Sequence, residues 1–387
     1  MPIALDQAAA ERDRLKRWLL EHAYPIWWEH GFDHRRGGFH ERLAQDGTPL
    51  DEPRSARVQP RQIYCYAVAS TLGWPGPALS AVRCGLDWYL THYRRENGLF
   101  RTMVGSDGVA LNDSVVLYDQ AFALFGLASA AAVLADVRPL ADIAAGLLAR
   151  LRAERAHPLA GFEETAPPSV PLLSNPHMHL LEACLAWEAL GGLPAAAGLA
   201  DEIATLALTR FIDPASGGVR ECFDAAWRPA PGRAGRILEP GHQFEWAWLL
   251  LRWGRLRDRP VAITAALRLL ALGERHGVDS VRNVAMNALL DDGSVQDPDA
   301  RLWPQTERLK AACLAALETG EECYWAVAAR ASHGLRRYLE TPRPGLWRDR
   351  QRPDGSFVNE PAPASSFYHI VGAILEFDRT VTAASAA

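Results

Sequence analysis

Apolar residues recur every three to four positions along nearly the whole chain, the spacing that gives a helix one apolar face. Twelve such runs are separable, at roughly residues 4–30, 59–73, 76–94, 114–134, 136–155, 175–190, 194–212, 240–256, 260–276, 304–318, 321–340 and 365–381. After every second run comes a short glycine-led segment of strand or turn character. Examples are Gly37-Gly38-Phe39, Gly98-Leu99-Phe100, Gly217-Gly218-Val219 and Gly345-Leu346-Trp347. Three of these reach an Asp-Gly pair about nine residues later (Asp46-Gly47, Asp107-Gly108 and Asp354-Gly355), a β-hairpin signal.

The second helix of each pair begins at a regular interval. Pro60, Pro176, Pro240 and Pro304 read as first-turn prolines, where a missing N–H leaves no hydrogen bond unmade. Tyr118 falls midway between the first two, and His369 lies about one period beyond the last, giving a repeat of about 58–65 residues. Six helical hairpins, none able to bury its faces alone, close into six inner and six outer helices. Neither end carries a polar capping repeat of the kind an open solenoid needs. The expected fold is all-α: an (α/α)6 barrel of twelve helices with short β-hairpins in the connecting loops. The chain has 387 residues, 49% of them hydrophobic, which suffices for one large core over residues 1–387 although length alone would suggest several domains.

If alternate helices are the inner ones, their N-termini open at one end of the barrel, and six positive helix ends surround one pocket. Three segments at these ends are dense in polar and aromatic groups: Asn175-Pro176-His177-Met178-His179-Leu180-Leu181-Glu182, Glu239-Pro240-Gly241-His242-Gln243-Phe244-Glu245-Trp246, and Ser365-Ser366-Phe367-Tyr368-His369. His242, Glu245 and Trp246 share a helical face, so Glu245 is expected to orient His242. A histidine at a helix N-terminus is held toward the neutral form, which can remove a proton. A lone histidine is more often structural, but three at equivalent places in a repeat point to acid–base chemistry.

Arg61, one residue into its helix, is placed to stabilise an oxyanion, Tyr118 and Trp303 to stack on a sugar ring, and Glu307, one turn into the Trp303 helix, to contact the sugar. No metal is expected: His177 and His179 point to different sides of a helix, and nothing completes a ligand set around His242 and Glu245. No cofactor is implied. A formal charge of −5 without a basic block argues against nucleic acid. No apolar run reaches the roughly 18 residues of a membrane span. The charged start MPIALDQAAAERDRLKRWLL does not read as a signal peptide, and six cysteines without a CxxC pair read as reduced. A cytoplasmic protein is expected, with a homodimer as the base-rate expectation.

At these segments the chain resembles the N-acylglucosamine 2-epimerase superfamily, which includes cellobiose 2-epimerases and bacterial mannose isomerases. The resemblance rests on Arg61-Gln62-Ile63-Tyr64, Tyr118-Asp119-Gln120-Ala121-Phe122, Asn175 to Glu182, Pro240 to Trp246, Trp303-Pro304-Gln305-Thr306-Glu307 and Phe367-Tyr368-His369. Arg57 to Tyr64 looks closest to the short mannose isomerase branch. The resemblance implies the same barrel, with His242 and His369 as the proton-transferring pair. It assigns Arg61, His179 and Glu245 to the catalytic pocket and Tyr118, Asn175 and Trp303 to sugar contacts. The substrate it implies is a free monosaccharide: mannose and fructose interconverted through a cis-enediolate, or alternatively a sugar epimerised at carbon 2. His369 is expected as the carbon-2 base and His242, buffered by Glu245, as ring-opening acid or second base. Glycoside hydrolysis would need two carboxyls flanking the bond, for which Glu245 and Glu307 are the available pair.

Overall fold

The computed structural model describes residues 3–386. Its main helices, in chain order, are α1 (Ile3–Trp18), α2 (Val58–Leu72), α3 (Ala78–Tyr93), α4 (Leu117–Ala131), α5 (Arg138–Arg155), α6 (Ser174–Leu190), α7 (Ala195–Leu206), α8 (Pro240–Leu256), α9 (Pro260–Leu272), α10 (Leu302–Thr319), α11 (Glu322–Leu339) and α12 (Ser365–Ala386). α1 runs on through π and α turns to Gly31, and α7 and α9 each gain one π turn, Ala207–Phe211 and Gly273–Gly277. The even-numbered helices form an inner ring, each packed on the inner helix before and after it. α12 returns to pack on α2, so the ring is closed as the repeat predicts.

Burial explains which helix goes where. Every residue of inner helix α4 except Tyr118 is buried, and a helix apolar all round must be surrounded by protein. Outer helix α11 buries Trp325, Ala328, Ala331, Leu335 and Tyr338, a single stripe at three- and four-residue spacing. Trp27 and Trp347 stack at 4.6 Å between the first outer helix and the last loop, joining the two ends of the chain. Trp27 lies in the core, whereas Trp28 is only partly buried. No described helix is long and apolar enough to cross a membrane.

The loops at the N-terminal ends of the inner helices carry strands of two or three residues. The three expected hairpins form, bridging Leu43 to Pro49, Met103–Val104 to Ala110–Asn112, and Gln351 to Phe357. A fourth, Ala288–Leu290 with Val295–Asp297, turns at Asp292-Gly293, which the glycine-led repeat did not reveal.

One contact ties these loops to the helices, and it recurs. Gln59 accepts from the Phe39 amide (2.8 Å) and donates to the Phe39 carbonyl (2.9 Å). Gln120 does the same to Phe100, Gln243 to Val219 and Gln305 to Ala285, at 2.7–2.9 Å. In α6 the place is taken by His177, whose Nε2 accepts from the Phe162 amide and whose Nδ1 donates to the Leu173 carbonyl, each at 3.0 Å. His177 is thereby an anchor rather than a catalytic histidine. In the last repeat Phe367 stacks at 5.4 Å on Trp347, twenty residues earlier, the same separation as Phe39 to Gln59. Each anchor fixes the angle and rotation of an inner helix against its own loop.

Gln120→Ala should therefore destabilise the protein by roughly 1–3 kcal/mol for each backbone group left buried and unpaired. Urea unfolding checks this, and a midpoint equal to that of the unsubstituted chain would remove the anchoring role.

Candidate active site

The anchors place equivalent side chains in rings. Two residues after each anchor stand Arg61, Phe122, His179, Glu245, Glu307 and His369; two residues before stand Arg57, Tyr118, Asn175, Gly241, Trp303 and Ser365. Most of both rings line a cavity of about 300 Å³ at the N-terminal end of the barrel, together with His242, Glu239, Arg301 and Ser366. Glycine at 241 is a packing requirement: a Cβ there would lie 2.4 Å from the Trp303 indole. The space thus freed lets Trp303 sit between the two histidine rings, 5.0 Å from His242 and 5.7 Å from His369.

The two histidines occupy opposite electrostatic surroundings. His369 Nδ1 donates to Glu307 Oε1 at 2.8 Å, leaving Nε2 with its lone pair. Burial first, then the positive charges of Arg61 and Lys310, hold this imidazole well below its ordinary range, so it rests neutral. His242 Nδ1 donates to Glu221 Oε2 at 2.8 Å and lies 3.6 Å from Glu239. Burial opposes its charge, but Glu221 and Glu239 outweigh burial and lift it to about 10, so it rests as imidazolium. The neutral form expected from a helix terminus is found at His369, where burial and two cations impose it, and not at His242, where two nearby carboxylates exceed the effect of a helix end.

Glu245 is not the partner of His242. It faces His179 at 3.8 Å, and burial followed by the charge of Glu307 raises its carboxyl well above the usual range. His179 Nδ1 lies 3.4 Å from Glu182, and burial depresses His179 to about 4. Glu182, despite burial, is held down to about 2 by His179 and Lys310, and accepts from the Tyr368 hydroxyl. Glu307, expected at the sugar, lies fully buried behind His369, with Lys310 at 2.7 Å on its other oxygen. Arg61 is pinned from both sides, donating to the Tyr118 hydroxyl at 2.5 Å and to the Ser365 carbonyl at 3.3 Å. Arg61 Nε, Asn175 Oδ1 and Glu245 Oε1 are buried without a partner among the described residues, three unmet hydrogen-bonding groups on one small cavity.

Sequence reading missed Glu221 and Lys310. Glu221 lies in an irregular loop where no periodicity signals it. Lys310 is a lone charge in the apolar run Leu309 to Leu317 of an inner helix, and that placement was a usable signal. Helical spacing also concealed three groups whose ligand atoms converge within 4.8 Å: His179-Glu182-Glu245, Glu221-Glu239-His242 and Glu245-Glu307-His369. Each draws on more than one segment of the chain. In the second, the His242 imidazolium faces both carboxylates, and in the third the Lys310 ammonium lies 2.7 Å from Glu307.

The family model described as N-acylglucosamine 2-epimerase matches residues 37–373. A relative named mannose-6-phosphate isomerase, from Rhizobium meliloti (strain 1021), is 50% identical over 370 residues, covering 94% of this chain and 96% of its own. A D-mannose isomerase of Marinomonas mediterranea is 29% identical over 147 residues, 38% of this chain and 37% of its own. The structure of cellobiose 2-epimerase from Spirochaeta thermophila DSM 6192 superposes with a TM-score of 0.88 at 22% identity, covering 100% of both chains. That of a D-mannose isomerase gives 0.84 at 21% identity, over 93% of this chain and 96% of the other. At these identities the structures establish the shared barrel.

Imidazole NMR should find His242 cationic through neutrality, titrating at about 10, while His369 stays neutral. Because the folded value of His242 is raised, its contribution to stability is full below the ordinary imidazole value of about 6.5 and is lost as pH rises through the folded value. Glu221→Gln should bring the His242 titration back toward that ordinary value; an unmoved titration would remove Glu221 as its cause.

Proposed function

The chain belongs to the N-acylglucosamine 2-epimerase family, and we propose that it isomerises free mannose and fructose, with His369 as base and His242 as acid. The observation that carries this reading is the pair of imidazoles in opposite protonation states on one sugar-sized cavity. Residues whose surroundings push their proton affinities apart divide the acid and base roles between them. The half-identical relative named as a mannose-6-phosphate isomerase supports the same class of reaction.

In the proposed sequence, His242 gives its proton to the ring oxygen of mannose and recovers the one released by the carbon-1 hydroxyl, as the ring opens to the aldehyde. His369 Nε2 then takes the carbon-2 proton, acidified by that aldehyde. Arg61 faces the enediolate oxygen, where a fixed guanidinium stabilises charge as it develops. The proton returns from His369 to carbon 1 on the same face, while the carbon-2 hydroxyl proton passes to the carbon-1 oxygen and leaves carbon 2 as the ketone. His179, donating through Nδ1 to Glu182, offers Nε2 to a sugar hydroxyl as an acceptor rather than to the enediolate as a donor. Asn175 and Glu245 supply the polar atoms that lack partners, and Tyr118 and Trp303 supply the stacking faces.

The rim favours a sugar without phosphate. Arg57 lies 3.5 Å from Asp119, Arg301 lies 3.2 Å from Asp349, and His242 is neutralised by Glu221, so these cations already have counter-charges. A second reading, epimerisation at carbon 2, draws on the same pair: a resting imidazolium could return the proton from the opposite face. Hydrolysis is less well served, because Glu307 lies behind His369. Six free cysteines suit a reducing compartment, and we place the protein in the cytoplasm on that ground.

Mannose should yield fructose, with kcat/KM for mannose exceeding that for mannose 6-phosphate; glucose as the product would establish the epimerase. His369→Ala and His242→Ala should each lower turnover by roughly 10²–10⁴-fold. In deuterated water, His369→Ala should stop hydrogen exchange at carbon 2 of mannose, and retained exchange would reassign the base. Treatment with a chelator should leave turnover unchanged; loss that a single divalent ion restores would overturn the metal-free mechanism.

A further inference from the structure

A second cavity, of about 250 Å³, lies at the opposite end of the barrel, between the C-terminal halves of the inner helices. Only a thin layer of side chains separates it from the first. Glu182 and Lys310 line the lower cavity while bonding to His179 and Glu307 of the upper machinery. One wall is aromatic: Tyr64, Phe125 and Tyr368 stand with ring centroids 5.0–5.6 Å apart. The facing wall is Trp248, over whose ring lie Lys310 at 3.7 Å and Arg252 at 4.6 Å. Arg379 from α12 completes the positive side of the mouth.

The two ends differ in how their cations are paired. At the catalytic rim Arg57, Arg301 and His242 each face a carboxylate. At the lower mouth Lys310 and Glu182 are committed to the barrel interior, but among the described residues neither Arg252 nor Arg379 has an ion-pair partner. The lone carboxylate there, Glu376, leaves one positive charge in excess. Glu376 and the carbonyl ends of α4 and α6 weaken the site for a dianion and leave room for a single charge.

We propose that this cavity is a second ligand site, separate from the catalytic one. It takes a small organic monoanion with an aromatic body, the ring against Trp248 and the Tyr64-Phe125-Tyr368 wall, the carboxylate on Arg252 and Arg379. Guanidinium groups suit this task because they bind carboxylate with paired, directed hydrogen bonds and stack on aromatic faces.

Isothermal titration with benzoate at low salt tests the site, with the uncharged benzamide as control and no turnover required. The expected result is saturable binding at one site per chain. It should be about tenfold or more weaker for benzamide and for the double variant R252Q/R379Q, which removes two solvent-facing charges. Saturating mannose should leave benzoate binding in place. Three results would overturn the proposal: no saturable binding, equal binding by R252Q/R379Q, or displacement of benzoate by mannose, which would place it in the catalytic cavity.

Discussion

The architecture depends on a side chain that reaches out of an inner helix and closes two hydrogen bonds on one residue of its own loop. An amide suits this because it donates and accepts within one plane, and burial makes the exchange matter, since neither backbone group has water to fall back on. Four repeats use glutamine in this way, one uses a histidine that accepts from Phe162 and donates to Leu173, and one replaces the bonds with a stacked aromatic pair. With the anchor fixed, residues two places to either side have no choice of direction.

That rigidity lets the barrel hold charges that would otherwise scatter. Three buried carboxylates, Glu182, Glu245 and Glu307, share one buried lysine, and their ionisation is decided collectively. Glu182 takes the charge because His179, Lys310 and the Tyr368 hydroxyl all face it. Glu245 gives up its charge because it has burial and like charges around it. The acid and base are separated by the same logic: one imidazole is backed by a carboxylate that Lys310 already satisfies, the other by two carboxylates at the edge of the cavity.

Much of this was legible in the sequence. The helix pairs, the ring closure and the three Asp-Gly hairpins followed from periodicity and turn chemistry, because those are local properties. The identity of the pocket followed because its residues cluster at helix starts. What escaped was pairing across the barrel. Glu245 shares a helical face with His242, but Glu221 from the preceding loop reaches the ring first. Glu307 was read as a sugar contact because one-dimensional spacing cannot tell a cavity wall from the layer behind it. The charge of His242 was misjudged for the same reason: the helix end was visible and Glu221 was not.

The glycine at position 241 shows what the anchored rings permit over evolutionary time. Its place in the upper ring is empty of side chain, and a neighbouring indole fills the gap. Size at one station of the ring is therefore traded against size at the next, while the backbone carrying both stays still. A fold with six such stations resembles a lock with six wheels, in which a single wheel turns without shifting the others. Divergence of substrate within such a scaffold would proceed by substitutions at matching stations in successive repeats, and the scaffold itself would record little of the change.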